Sequence, residues 1–352
     1  MSDSRLQTGF CHLVGIRHPV VQTGMGWVAG PRLTAATSSA GGLGILAAAT
    51  LSFDEMVDAV EEVRRYTETP FGVNLRTDAG DIDQRVDHLI AAEVPVASFA
   101  PAPGRDIVAR LVEAGVVVMP TVGAVRHAEK VAEWGVDAVI AQGAEGGGHT
   151  GVVPTSILIP QIVDAVDIPV IAAGGFTNGR GLAAALVFGA HGIAMGTRFL
   201  LTAESGVPEA VKASYLATSV TGTTVTRAID GAPQRVITNR MVERLEQARL
   251  LALPMALANA LRFRQLTGTS LGELAAEGLR MRRSQGLTWS QVALAANAPM
   301  LTRATMVDGH LEVGILPTGQ GVGMIDDLPT CAEVVERTVK EATEVLDRLL
   351  EN

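Results

Sequence analysis

Two stretches decide the fold: Pro169-Val170-Ile171-Ala172-Ala173-Gly174-Gly175 and Gly192-Ile193-Ala194-Met195-Gly196-Thr197. Each is a short, uniformly apolar run that ends in glycine just before a helical segment. Strands apolar on both faces belong to a parallel sheet covered by helices, because a half-exposed strand would alternate polar and apolar residues. The same unit recurs upstream. Ile16-Arg17-His18-Pro19-Val20-Val21-Gln22, Leu43-Gly44-Ile45-Leu46, Phe71-Gly72-Val73-Asn74-Leu75, Val96-Ala97-Ser98-Phe99, Val116-Val117-Val118-Met119 and Ala138-Val139-Ile140-Ala141 are the other strand candidates. Helical segments separate them: one begins near Pro31, and others span 53–66, 81–92, 104–114, 125–134, 155–165 and 178–188. Strict β-then-α alternation allows an open doubly wound sheet or a closed barrel. Eight units favour the barrel.

The rhythm breaks after strand eight. Val220 to Val236 is rich in β-branched residues, helical stretches follow near 239–265, 270–284 and 288–296, and Gly319-Gln320-Gly321-Val322-Gly323 forms a glycine-rich loop. A last helix, about 329–350, begins after Pro329 with Thr330 as candidate cap. The expected fold is therefore an α/β, (β/α)₈ TIM barrel made of 1–218 and 329–352. Residues 219–328 form a mainly helical insertion covering the active-site face, and the final helix closes the ring.

Composition narrows the chemistry. The chain has 352 residues, 47% of them apolar and 18% charged, which excludes a disordered polymer. Two cysteines exclude a disulfide scaffold and any cysteine-based zinc or iron–sulfur site. With 28 Lys+Arg against 37 Asp+Glu, the net charge is −9, and no basic run of nucleic-acid type is visible. No apolar segment reaches membrane-spanning length and residues 1–12 lack an export-signal core, so a cytoplasmic protein is expected.

In a barrel, function gathers at the C-terminal ends of the strands. Here those ends carry Gln22-Thr23-Gly24-Met25-Gly26, Asn74, Gln142-Gly143, Ala173-Gly174-Gly175 and Met195-Gly196-Thr197-Arg198. Glycine, amide and hydroxyl groups dominate and carboxylates are nearly absent. That suits an anion or a planar cofactor with hydrogen-bonding edges, and it suits neither a two-carboxylate hydrolase nor an acidic metal cage. Gly174-Gly175 and Gly196-Thr197 either allow tight turns only, or expose backbone N–H groups to a phosphate. Of seven histidines, His149 alone falls at this rim, in the glycine-rich loop after strand six, where an imidazole can move a proton beside a redox cofactor. Glu145 in the same loop reads best as a hydrogen-bond acceptor that orders it. Gly24-x-Gly26-x-x-x-Gly30 only loosely matches a dinucleotide fingerprint, and Cys11 and Cys331 lie off the rim, so a catalytic cysteine has no candidate. Met25 and Trp27 either line the site or fill core.

Several of these segments resemble one family. Pro19 to Leu46, the loop Gly143-Ala144-Glu145-Gly146-Gly147-Gly148-His149-Thr150-Gly151, the turns 169–175 with Asn178-Gly179-Arg180-Gly181 and 195–199, and the loop 319–323 are similar to the nitronate monooxygenase (2-nitropropane dioxygenase-like) superfamily, which includes flavin-dependent enoyl-thioester reductases. The resemblance implies an FMN-binding barrel. Gly24, Met25 and Gly26 would meet the isoalloxazine, and Asn74 and Gln142 its polar edge. Gly174, Gly175, Gly196 and Thr197, in the turns entered from Ala173 and Met195, would hold the phosphate, and His149 would be catalytic. No metal is implied. Gly146 stands where nitronate enzymes usually carry Ala. The long insertion looks more like actinobacterial members associated with steroid-ring breakdown, which act on bulky coenzyme A thioesters.

The leading expectation is an FMN-dependent oxidoreductase acting at the Cα–Cβ bond of an acyl-CoA-type thioester, by desaturation or enoyl reduction. Its partner is a small molecule rather than a nucleic acid or membrane, and a homo-oligomer is allowed. Arg198, Arg227, Arg235 and Arg240 are candidates for coenzyme A phosphates. Nitronate oxidation with O2 and a flavin-binding partner subunit without turnover are the alternatives.

Overall fold

The computed structural model describes residues 6–247 and 297–351. Eight parallel strands close on themselves: β1 (Val20–Gln22), β2 (Leu43–Ala47), β3 (Phe71–Leu75), β4 (Val96–Phe99), β5 (Val117–Val122), β6 (Val139–Gln142), β8 (Val170–Ala173) and β9 (Gly192–Met195). β1 pairs with β9 through Val20↔Ile193, Val21↔Ala194 and Gln22↔Met195, which seals the ring. The outer helices are α2 (Pro31–Ser39), α3 (Phe53–Tyr66), α4 (Ile82–Ala91), α5 (Arg105–Glu113), α6 (Val125–Ala132), α7 (Thr155–Ala165) and α8 (Gly179–Val187). The fold is the expected (β/α)₈ barrel.

The apolar strand runs follow from burial on two sides. Val21, Leu43, Ile45, Val96, Ile140, Ile171 and Ala194 fill the barrel interior. Val20, Leu46, Val73, Val118, Val139, Ala172 and Ile193 pack outward against the helices. A short helix that the apolar periodicity did not reveal, α1 (Gly9–Val14), plugs the N-terminal end of the barrel with Phe10, Cys11 and Val14.

The closing helix is α13 (Cys331–Glu351), packed against α8 and α2. Thr330 and Glu333 form its reciprocal cap: Glu333 accepts from the Thr330 N–H at 2.8 Å and Thr330 Oγ1 accepts from the Glu333 N–H at 3.2 Å. Gly179 lets α8 approach it, since a Cβ there would lie 2.3 Å from the Thr338 carbonyl oxygen.

Between β9 and α13 the described chain forms α9 (Thr197–Leu200), α10 (Glu209–Leu216), a hairpin of β10 (Thr223–Thr226) and β11 (Gln234–Ile237), α11 (Arg240–Gln247) and α12 (Asn297–Met306). The helical stretches expected near 270–284 and 288–296, and most of that near 239–265, lie outside the described residues. The hairpin adds β7 (Gly148–His149), giving a three-stranded antiparallel sheet in the order β10-β11-β7. Among the described residues, no helix is long and apolar enough to cross a membrane, and no cluster of three His, Cys, Asp or Glu could hold a metal.

Candidate functional site

The strand ends converge at one mouth. The backbone at Gly24 lies against Asn74, where a Cβ would fall 2.4 Å from the Asn74 Cβ. Asn74 is buried at the end of β3, and its amide donates to Ser98 Oγ at 3.4 Å. Gly26 sits over Thr50, and Gly196 over Thr23 and the Met25 sulfur. Gly174 and Gly175, after Ala173, both adopt left-handed backbone, with φ of +108° and +79°. A Cβ on Gly174 would stand 2.7 Å from Thr155 Oγ1. Thr197, after Met195 and Gly196, accepts the Gly319 N–H at 2.9 Å, so the loop before α13 is tied to the end of β9.

Glu145 orders its loop as expected. Its carboxylate accepts from the Thr155 N–H at 2.9 Å and from Thr155 Oγ1 at 2.6 Å, placing negative charge at the N-terminus of α7. Its carbonyl accepts from the Gln320 N–H at 2.9 Å. A cleft of about 440 Å³ opens between these segments, bounded by Glu145, Gly174, Gly175, Phe176, Gln320 and Met324.

His149 is held differently from the mobile loop residue its glycine-rich surroundings suggest. Gly148 and His149 pair with Arg235 and Gln234 of β11, and the Thr150 N–H donates to the Pro233 carbonyl. The Gln142 amide donates to the His149 carbonyl at 2.7 Å, linking this strap to the end of β6. The imidazole itself is 66% exposed, and its Nε2 lies 2.7 Å from Oδ2 of Asp230, which is only 10% exposed. Burial opposes ionisation of Asp230. The hydrogen bond from His149 and its charge, with the Ala232 N–H and the Gln234 amide, outweigh that and hold the carboxyl below its usual range. The structure thus brings the glycine, amide and hydroxyl candidates to one mouth, while the His149 ring pairs with Asp230 rather than with any of them.

Sequence reading missed Asp230 and Gln234. The signal present was Asp230-Gly231 between two β-branched runs, a hairpin turn, but nothing local tied it to His149. Three of the four arginine candidates are engaged, Arg227 with the Gly231 carbonyl at 3.4 Å. Arg198 is buried on Asp327 and the Leu201 carbonyl, and burial lowers its pKa despite Asp327. Arg235 donates to the Ala144 carbonyl and to Thr223 Oγ1. Trp27 has φ of 66°, packs partly buried against the barrel core and lies under the Arg303 guanidinium of α12 at 5.6 Å. Burial and the neighbouring Glu204 push the Cys331 thiol up to about 12, which removes it from nucleophilic chemistry.

The family model for nitronate monooxygenase matches residues 7–85 and 77–341. The chain belongs to that family. Within it, the chain is 53% identical over 347 residues to the (3aS,4S,5R,7aS)-5-hydroxy-7a-methyl-1-oxo-octahydro-1H-indene-4-carboxyl-CoA dehydrogenase of Rhodococcus jostii, covering 98% of both chains. It is 55% identical over 342 residues to the dehydrogenase of the same name from Mycobacterium tuberculosis, covering 96% of both. Among solved structures, FabK of Thermotoga maritima superposes with a TM-score of 0.80 at 33% identity, covering 98% of both chains. This nitronate monooxygenase family member is an oxidoreductase.

Proposed function

We propose that the protein is an FMN-dependent oxidoreductase that acts at the Cα–Cβ bond of an acyl-CoA thioester in steroid-ring breakdown, in the dehydrogenating direction. The observation that carries this reading is end-to-end identity above one half with two dehydrogenases named for a fused-ring carboxyl-CoA. The long connection between β9 and α13 agrees with a bulky substrate.

The residues present fit a flavin phosphate and ring. The mouth offers a left-handed Gly174-Gly175 turn, packed so closely that a Cβ on Gly174 would press on Thr155 Oγ1, and the neutral groups of Gly196, Thr197, Asn74 and Gln142. Its two nearby carboxylates are engaged, Glu145 by Thr155 and Asp230 by His149. Backbone N–H groups and hydroxyls hold a phosphate without a counter-charge of their own. Gly24, Met25 and Gly26 would lie under the ring, Asn74 and Gln142 would meet its polar edge, and the turns after Ala173 and Met195 would hold the phosphate. When bound, the flavin supplies the two-electron acceptor for a hydride from Cβ.

The protein's own part is positional and acid–base. A thioester carbonyl acidifies the Cα–H, and His149 takes that proton. The β7–β11 pairing fixes the His149 backbone, so the imidazole approaches from a rigid strap rather than a loose loop. Trp27 and Arg303 form an aromatic and cationic rim suited to a coenzyme A chain.

The test is spectroscopic. The purified protein is expected to be yellow, and its visible band should bleach anaerobically with fused-ring carboxyl-CoA thioesters and not with alkyl nitronates. Bleaching by nitronates alone, with oxygen uptake in air, would establish the second reading, nitronate oxidation, which the family model favours.

A further inference from the structure

Resting on the proton-transfer role of His149 proposed above, we propose that Asp230 is a positioning residue that keeps a proton on His149 Nε2, so that Nδ1 is the nitrogen that takes the Cα proton. Two contacts carry this. Asp230 Oδ2 is 2.7 Å from His149 Nε2, and an ionised carboxylate only accepts, so Nε2 must carry hydrogen. Gln234 Nε2 lies 3.2 Å from the same ring nitrogen and also donates to Asp230 Oδ2. With its amide reversed, Gln234 would set an oxygen against the carboxylate, so the amide is a second donor to the same carboxylate oxygen and does not itself choose the tautomer. Asp230 Oδ1 accepts from the Ala232 N–H at 3.0 Å, which fixes the carboxylate plane on the hairpin turn. Among the described residues His149 Nδ1 has no partner, and the ring is largely exposed.

The chemistry balances. Nδ1 takes the Cα proton, the electron pair of the broken C–H bond becomes the new Cα=Cβ bond, and the Cβ hydride goes to the flavin. The imidazolium so formed keeps its Nε2–H against Asp230, whose negative charge offsets the new positive charge. Other charged groups face this pair. Arg76, held by Asp78 at 2.5 Å, acts on Asp230 from the loop after β3. Arg235 is engaged with Ala144, and Glu145 with Thr155. Asp230 comes from the hairpin beyond strand eight, so the barrel alone would have an unpaired histidine.

Nitrogen-15 NMR of histidine-labelled holoenzyme tests this without turnover. In the neutral protein His149 is expected as the Nε2–H tautomer. Asp230→Asn preserves the acceptor for Ala232 but removes the charge. It should raise the Nδ1–H fraction of the neutral ring. It should also lower kcat by about 10²-fold, with KM and bound flavin retained. Asp230→Glu should restore part of the Nε2–H preference. An Nδ1–H tautomer in the wild-type protein, or an unchanged tautomer ratio in Asp230→Asn, overturns the proposal. The tautomer measurement needs no variant, so it decides even if Asp230→Asn folds poorly. Failure of every thioester as substrate, with the tautomer and its change in Asp230→Asn both as expected, would overturn the function proposed above and leave the Asp230 pairing standing.

Discussion

The two ends of the same eight strands are built from different chemistry. At the closed end, Phe10, Cys11, Val14 and Ile16 meet Val21, Leu43, Ile45, Val96 and Ile171 in a seal of apolar side chains. At the open end, segments far apart in sequence are joined by polar contacts: Thr197 to Gly319, Glu145 to Gln320, and His149 to Asp230. Apolar burial is non-directional and stabilises in proportion to area, whereas hydrogen bonds fix orientation and contribute little net stability. One end therefore holds the barrel shut, and the other fixes the orientation of the groups proposed to meet the substrate. Substitutions should separate the two: stability should fall at the floor, and activity at the mouth.

The largest expected effect is at the mouth. His149→Ala should lower turnover by about 10²–10⁴-fold. It should leave the flavin bound and the melting temperature nearly unchanged, because the ring is exposed and covers little core. Undiminished turnover in the flavin-loaded variant would break the contrast at its strongest point. At the floor, Phe10 is fully buried, and Phe10→Ala should cost about 3–5 kcal/mol by the lost transfer energy and the cavity left behind. The denaturant midpoint would report it, and the fraction that remains folded should keep its KM.

Gly174→Ala probes whether the mouth is as rigid as its contacts imply. A left-handed backbone costs a residue with a Cβ about 1–2 kcal/mol, and at φ of +108° the added methyl would also press on Thr155 Oγ1. The expected outcome is a modest loss of stability with a clear loss of flavin retention, read by gel filtration and absorbance. If flavin stays with the variant at wild-type stoichiometry, the turn after β8 does not hold the phosphate.

The barrel was legible in the sequence because burial on both faces leaves uniformly apolar runs such as Val170-Ile171-Ala172-Ala173, and helices such as 53–66 carry their own punctuation. Ser52 and Glu55 form a capping box there, and Arg64-Arg65 close the last turn. The short helix α1 escaped because six residues starting at a glycine give too little periodicity. The sheet over the mouth escaped for a different reason. β7 is two residues long within a glycine run, and its partner β11 lies more than eighty positions later. The rim glycines and His149 were thus readable as strand-end residues, but Asp230 was not, since only tertiary pairing brings it to the imidazole. Local pattern reveals elements, and long-range polar contacts leave no local trace.

The smallest expected effect tests a polar contact that belongs to the frame rather than to the mouth. Arg85, buried on α4, donates to the carbonyls of Ala48 and Leu51, pinning the turn after β2, and pairs with Asp81 at 2.8 Å. The hydrogen bond from Arg85 holds the Asp81 carboxyl below its usual range. A depressed folded-state pKa contributes stability above the unfolded value, about 3.9 for Asp, and that stability is lost as pH falls through the folded value. Asp81 is one-third exposed, so solvent screening limits the contribution to at most about 1 kcal/mol. Asp81→Asn should therefore melt slightly below the wild-type protein at neutral pH, and the gap should close below about pH 4. A gap that persists in acid would mean that Asp81 acts through shape rather than charge. The frame and the mouth would then differ less than their chemistry suggests.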